Sequence, residues 1–181
     1  MNILTPNTIV RNILLYRKSG IVLDLGVGPG RNAIFLAASG FSVIGVDKDT
    51  MAIDRFKHNA SESGVSVSAE LADILNFEIR DNYDVIVSTS VLHFIADPEK
   101  VIERMKFHTN IMGLNAVSAF TEDNPDKRFT HLFKKEELLH YYDEWEILEY
   151  REYLTDWEQH DGLEPHRHSV AEIIARNNQT P

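Results

Sequence analysis

Val22-Leu23-Asp24-Leu25-Gly26-Val27-Gly28-Pro29-Gly30-Arg31-Asn32 is the stretch that decides the fold. Ile21 to Leu25 is an apolar run of strand length, and a helical pattern from Arg31 to Ser39 follows directly on the glycines, with Gly40 as its stop. A strand that hands over to a helix through Gly26, Gly28 and Gly30 brings backbone close to a ligand, and the helix start adds free N–H groups and a positive dipole. A carboxylate, a phosphate or a ribose would suit it. The dinucleotide fingerprint G-x-G-x-x-G needs its third glycine one position later, where this chain has Arg31, so a nicotinamide cofactor is disfavoured. Asp47 lies 21 positions after Gly26, at the end of the next strand, where a carboxylate can accept hydrogen bonds from ribose hydroxyls. Taken singly, the glycines could form a mere tight turn and Asp47 could cap a helix. Together, at this spacing, they indicate a nucleoside ligand.

Outward from this block, helix and strand patterns alternate. Thr5 to Tyr16 places Ile9, Val10, Ile13 and Leu14 on one helical face, and Lys18-Ser19-Gly20 ends it. Phe41 to Val46 reads as a second strand. Met51, Ala52, Ile53, Phe56 and Ala60 mark a helix closed by Gly64, Val65 to Leu71 a third strand leading to Asp73, and Tyr83 to Ser88 a fourth. Asp97-Pro98 opens another helix, with the carboxylate expected to cap free amides, and Val101, Ile102 and Met105 form its buried stripe. Gly113 to Phe120 is a fifth strand and Lys134 to Tyr142 a short helix. Trp145 to Tyr153 and Ser169 to Ala175 are two late strands joined without room for a helical crossover, hence antiparallel to each other. The expected fold is α/β: three layers, doubly wound, with a seven-stranded, mostly parallel sheet and one antiparallel strand near an edge. Ligands in such sheets bind beyond the carboxyl ends of the strands.

Composition narrows the function further. The 181 residues form one expected domain over 1–181, and two full-sized domains would not fit. Without cysteine there is no disulfide, no thiolate nucleophile and no thiolate metal ligand. A formal charge of −10 argues against general affinity for nucleic acid or anionic membranes and leaves a small molecule as the expected partner. Met1 to Asn7 lacks the basic start and apolar core of a signal peptide, and the longest apolar run, Ala33 to Ala38, is far short of a membrane span. A cytoplasmic protein, monomer or homodimer, is expected. Thr121 to Lys127 and Thr155 to Pro165 read as polar loops within the domain.

The Val22 to Asn32 block resembles motif I of the class I S-adenosylmethionine-dependent methyltransferases. Three further blocks narrow the resemblance: Ser88-Thr89-Ser90-Val91-Leu92-His93-Phe94, His108-Thr109-Asn110 and Tyr141-Tyr142-Asp143-Glu144-Trp145-Glu146. With them the chain resembles the tellurite-resistance methyltransferases of the TehB type, from about Pro6 to Arg176. Val27 stands where many members carry cysteine, a position that offers mainly backbone. The resemblance implies S-adenosylmethionine as cofactor, S-adenosylhomocysteine as product, and a small soft or anionic acceptor such as tellurite or selenite. It implies that Asp24, Gly26 and Gly28 hold the methionine moiety and Asp47 the ribose, with Lys48 and Met51 beside the sugar and adenine. Asp73 and Ile74 would flank the adenine, the carboxylate taking a hydrogen bond from the exocyclic amine, and Ser88, Thr89 and Ser90 would close the methionine end. Arg31, at the helix start, joins this cofactor-binding set, with an ion pair to an acid as its plainer role. Asp73 as a turn cap, Met51 and Ile74 as core, and the Ser88 to Ser90 side chains paired with backbone are the other plain readings.

Methyl transfer from a sulfonium is an in-line displacement, for which the protein aligns the acceptor and excludes water without supplying a nucleophile. An oxyanion acceptor would attack through the chalcogen lone pair, and nearby cations would bind it. His160 to His168 gathers three of the eight histidines and Arg167 in the loop before the last strand. Similar methyltransferases carry a His-Arg pair in this region, so the resemblance makes His166 and Arg167 expected catalytic residues, joined by His93 as a general base or as a pocket wall. His166 and His168, if on a strand, share one face and leave Arg167 on the other. One His-x-His pair plus the distant His160 is too sparse for zinc, and no metal is expected. The competing readings are a methyltransferase for a thiol or organic acid, a non-catalytic sensor of the adenosyl ligand, and an NAD-dependent reductase.

Overall fold

The structure, a computed structural model, describes residues 5–158 and 164–179. A helix α1 (Thr8–Tyr16) leads into β1 (Gly20–Leu25), α2 (Arg31–Ala38), β2 (Phe41–Asp47), α3 (Thr50–Glu62), β3 (Ser68–Leu71) and β4 (Tyr83–Thr89). A single 3-10 turn (Leu92–Phe94), α4 (Pro98–Phe107), β5 (Thr109–Phe120), α5 (Glu137–His140), β6 (Glu146–Leu154) and β7 (Ser169–Arg176) complete it. The seven strands form one sheet in the order β3-β2-β1-β4-β5-β7-β6. All neighbours run parallel except β7, which lies antiparallel to both β5 and β6. This is the expected doubly wound sheet, with its one reversed strand next to an edge.

The sheet is covered on both faces, which is why its inner strands read as nearly unbroken apolar runs. On one face Ile9, Val10 and Ile13 of α1, Leu36 of α2 and Ile53 and Phe56 of α3 pack on Val22, Val43, Val85 and Val87. On the other, Val101, Ile102 and Met105 of α4 and Leu138 of α5 pack on Leu23, Leu25, Ile86 and Val117. Strand alternation therefore places Asp24, two residues after Val22, on the α1–α3 side. No helix among the described residues is long and apolar enough to cross a membrane.

Several expected boundaries shift for local reasons. Asp97 does not cap α4: its carboxylate sits 2.8 Å from the Lys100 ammonium, one helical turn on. The helix expected from Lys134 is reduced to one turn, because Glu136 takes a left-handed φ of 61° just before it. β5 begins at Thr109 rather than Gly113, since Thr109 pairs with Tyr83 ahead of an irregularity in the β4–β5 register. β3 keeps only four residues of the expected run from Val65, as an edge strand paired with β2 alone. α1 starts at Thr8, because Asn7 is extended and its N–H is held by Asn32 Oδ1 at 2.9 Å.

Candidate functional site

The carboxyl ends of β1, β2 and β4 meet at the glycine loop. The Gly26 and Val27 N–H groups both donate to Val46 O, at 2.8 and 3.0 Å, tying the turn to β2. Gly28 N–H donates to Asp47 Oδ2 at 2.9 Å, and Asp49 N–H to Asp47 Oδ1 at 3.0 Å. Each carboxylate oxygen thus holds one backbone N–H and keeps a further lone pair. The glycines differ in purpose. A Cβ on Gly26 would lie 2.3 Å from Val91 Cγ2, and one on Gly30 2.1 Å from the Phe56 ring, so both serve close packing. A Cβ on Gly28 would meet nothing within 4 Å, although the residue sits at φ +55°. That opening lies directly beside Asp47.

Asp24 is 2% exposed and makes no side-chain hydrogen bond with the described residues. Burial first, and the negative charge of Asp47 second, push its carboxyl up to about 7, against the opposing pull of the exposed Arg31 guanidinium. A buried carboxyl in this state gains from any cation placed beside it. Ser88 Oγ is likewise buried, with no hydrogen-bond partner among the described residues. Ser90 takes a left-handed φ of 59° and donates its N–H to Ser118 O.

Other expected ligand residues have structural duties. Thr89 Oγ1 accepts a 2.8 Å bond from Asn32 Nδ2, so Asn32 clamps α2 to both the end of β4 and the chain at Asn7. Ile74 packs into the α4-side core. Met51 does not belong to the core: it is 62% exposed at the start of α3, and Lys48 is exposed beside it. Asp73 forms the turn that its plain reading anticipates, Oδ1 accepting from Leu75 N–H at 3.0 Å, while the carboxylate stays partly exposed.

His93 lies just beyond the end of β4, in the turn Leu92–Phe94. The ring is 1% exposed, and its Nδ1 accepts the Phe120 N–H at 3.3 Å. Burial, with a smaller contribution from His168, drives its pKa down to about 3, so it stays neutral with that lone pair engaged. His93 is a wall. It stacks on Phe120 at 3.9 Å, and Phe120 stacks in turn on His168 at 4.3 Å. His168 Nδ1 lies 3.2 Å from Oδ1 of the buried Asn124. The last strand begins at Ser169 as expected, so His166 and His168 lie in the loop before it, with their rings 4.8 Å apart. Arg167 points elsewhere, Nε donating to Thr155 O at 2.7 Å and the guanidinium lying 5.8 Å from the Trp157 ring centre. His160 lies outside the described residues. Among those described, no three His, Cys, Asp or Glu side chains form a metal-holding group.

Asn32, Phe120, Asn124 and Phe129 escaped the sequence reading. Asn32 sits inside the quoted block, where it served only the resemblance. Asn124 lies in a stretch that reads as an ordinary loop.

A family described as "Tellurite resistance protein TehB" matches residues 5–165. The probable S-adenosyl-L-methionine-dependent methyltransferase TehB of Haemophilus influenzae is 37% identical over 145 residues, 77% of this chain and 51% of that protein. Hemagglutinin 1 of Eikenella corrodens is 38% identical over 136 residues, 72% of this chain and 45% of that protein. The chain therefore spans about half the length of the curated relatives it matches. Among solved structures, that of TehB from Haemophilus influenzae superposes with a TM-score of 0.86 at 32% identity, covering 94% of this chain and 62% of that one. N-methyltransferase NodS from Bradyrhizobium japonicum, solved with S-adenosyl-l-homocysteine, gives a TM-score of 0.76 at 19% identity over 94% of this chain and 84% of that one, a likeness of fold alone.

Proposed function

The chain belongs to the tellurite resistance protein TehB family, and from that membership we propose that it transfers a methyl group from S-adenosylmethionine to a small, soft acceptor. The observation that carries the reading is Asp24, a buried carboxyl with no hydrogen-bond partner among the described residues, set beneath a glycine loop that leaves space over Gly28. The cofactor fits these residues: its ammonium supplies the cation that Asp24 lacks, and its backbone can run past Gly28 where a side chain would stand in the way. Asp47 takes the ribose hydroxyls with its remaining lone pairs. Asp73 takes the adenine amine, with Met51 and Lys48 at the rim of the adenosine site and Arg31 at the helix start. Ser88 and Ser90 close the methionine end, and Gly26 and Thr89 act by shaping the loop and strand end.

When bound, the cofactor supplies an electrophilic methyl group on a cationic sulfur. The chain's own contribution is to fix that group, to align the acceptor behind it and to keep water away. For an oxyanion acceptor such as tellurite, which the family's description suggests, the cationic side chain on offer in this loop is Arg167, with the His166 imidazole beside it in the chain. A thiol is the second reading, favoured by the ring-lined wall around His93.

The test is to incubate the purified protein with methyl-labelled S-adenosylmethionine and, separately, tellurite, selenite and a thiol. Labelled methyl product should form in step with S-adenosylhomocysteine. Tight binding of the adenosyl ligand with no transfer to any acceptor would instead support a sensor.

A further inference from the structure

We propose that Arg104 is a positioning residue for the adenine end of the cofactor: its guanidinium clamps the turn that carries Asp73 and so fixes where that carboxylate stands relative to Asp47. The inference rests on the adenosyl-site reading above. Arg104 stands half-buried in the last turn of α4. Its Nη1 donates to Ile74 O at 3.0 Å and to Leu75 O at 3.2 Å, and its Nη2 donates to Phe77 O. In a chain with 28 acidic residues, no carboxylate among the described residues pairs with this cation. The planar fork is spent on neutral backbone, where its fixed donor angles can serve several oxygens at once.

The hydrogen bonding of the turn explains why it takes a clamp. Asp73 Oδ1 accepts the Leu75 N–H at 3.0 Å, and Asp73 O accepts the Asn76 and Phe77 N–H groups at 2.9 and 2.8 Å. The donors are thereby satisfied within the turn, whereas the Ile74, Leu75 and Phe77 carbonyls find their hydrogen bonds only at Arg104 among the described residues. The strand from which the turn departs gives it little support, since β3 has four residues and pairs with β2 alone.

The start of the same segment is tied to the ribose residue. Ala72 N–H donates to Asp47 O at 2.9 Å, and Asp73 follows in the chain. Backbone therefore joins Asp47 to the beginning of the turn, and Arg104 joins the rest of the turn to α4. The two carboxylates that meet one nucleoside, Asp47 at the ribose and Asp73 at the exocyclic amine, stand on a frame braced before the ligand arrives. Bracing of this kind lowers the ordering cost of binding. Arg104 acts through Asp73 and contacts no part of the ligand itself.

The experiment titrates S-adenosylhomocysteine and S-inosylhomocysteine, whose base carries a carbonyl in place of the exocyclic amine, into the wild type, Arg104→Met, Asp73→Asn and the double variant. Asp73→Asn keeps the Oδ1 acceptor of the turn and replaces the second carboxylate oxygen with a donor. The denaturation midpoint of each protein is measured alongside. The wild type should prefer the adenosyl ligand at least about tenfold. Arg104→Met should weaken the adenosyl ligand about tenfold and the inosyl ligand less than about twofold, and should add less than about twofold to the loss already caused by Asp73→Asn. Arg104→Gln, which keeps N–H donors for one carbonyl, should fall between the wild type and Arg104→Met, and it carries the same comparison if Arg104→Met does not fold. A merely structural arginine would lower the midpoint and leave the preference between the two bases where it was. That result, or equal weakening of both ligands, overturns the clamp and leaves the adenosyl site standing. Equal binding of both ligands by the wild type removes the role of Asp73 and the clamp with it, and binding of neither removes the adenosyl site itself together with the clamp.

Discussion

Raising the pH from about 6 to about 8 should tighten binding of S-adenosylhomocysteine about tenfold, through Asp24 alone. In the ligand-free protein this carboxyl is pushed up to about 7, with Asp47 and Arg31 the charged groups acting on it. Roughly one molecule in eleven then carries an ionised Asp24 at pH 6 and roughly ten in eleven at pH 8. If the ligand's ammonium requires the carboxylate, the ratio of these fractions sets the gain, about tenfold or 1.4 kcal/mol. Calorimetric titration in two buffers of different ionisation enthalpy measures both the affinity and the protons released, nearly one per ligand at pH 6 and about 0.1 at pH 8. Asp24→Asn should abolish the pH dependence and bind weakly throughout. Stability runs the other way. The folded-state value lies above the unfolded value of 3.8, so the ligand-free protein loses stability as pH rises from about 4 through about 7, approaching 4 kcal/mol. Asp24→Asn should therefore raise the Tm of the ligand-free protein at pH 8. A wild-type affinity that stays flat between pH 6 and 8 would refute the reasoning.

The two inner glycines of the loop should separate stability from binding. Gly30→Ala puts a Cβ 2.1 Å from the Phe56 ring at φ +90° and should cost about 3 kcal/mol or more, read as a fall in denaturation midpoint. Gly28→Ala meets no atom within 4 Å and should cost only about 1 kcal/mol in stability, while binding of S-adenosylhomocysteine drops more than tenfold. At the opposite end of the sheet, Asp84 accepts Arg17 Nη2 at 2.6 Å, Ile21 N–H at 2.8 Å and Asn110 Nδ2 at 3.3 Å. Asp84→Ala should destabilise by about 2–3 kcal/mol in chemical denaturation and leave ligand affinity unchanged.

Much of the fold was legible because both faces of the sheet are covered: β1, β2, β4 and β7 declare themselves as apolar runs, and glycines punctuate them. What the sequence hid depends on partners far along the chain. Asp97 carries the signature of a helix cap, but Lys100 competes for its carboxylate one turn on. The start of β5 is set by Tyr83 rather than by its own residues. The same division runs through the site. Asp47 and the glycines stand at spacings set by one strand–helix–strand unit, so local pattern marked them as candidates, whereas Asp24 entered through the resemblance. His93 is held neutral chiefly by its burial, its Nδ1 is engaged by the backbone of Phe120, 27 residues away, and its ring packs against Phe120 and Phe129 from other segments. Thr89 looked like a ligand contact because its partner, Asn32, lies on a different element.

Calorimetric titration of the wild type and Asp47→Ala with S-adenosylhomocysteine, and in parallel with NADH, bears most directly on the adenosyl site. Micromolar binding of S-adenosylhomocysteine, weakened at least about tenfold or 1.4 kcal/mol by Asp47→Ala and not matched by NADH, is the expected result. Binding of NADH alone would contradict it.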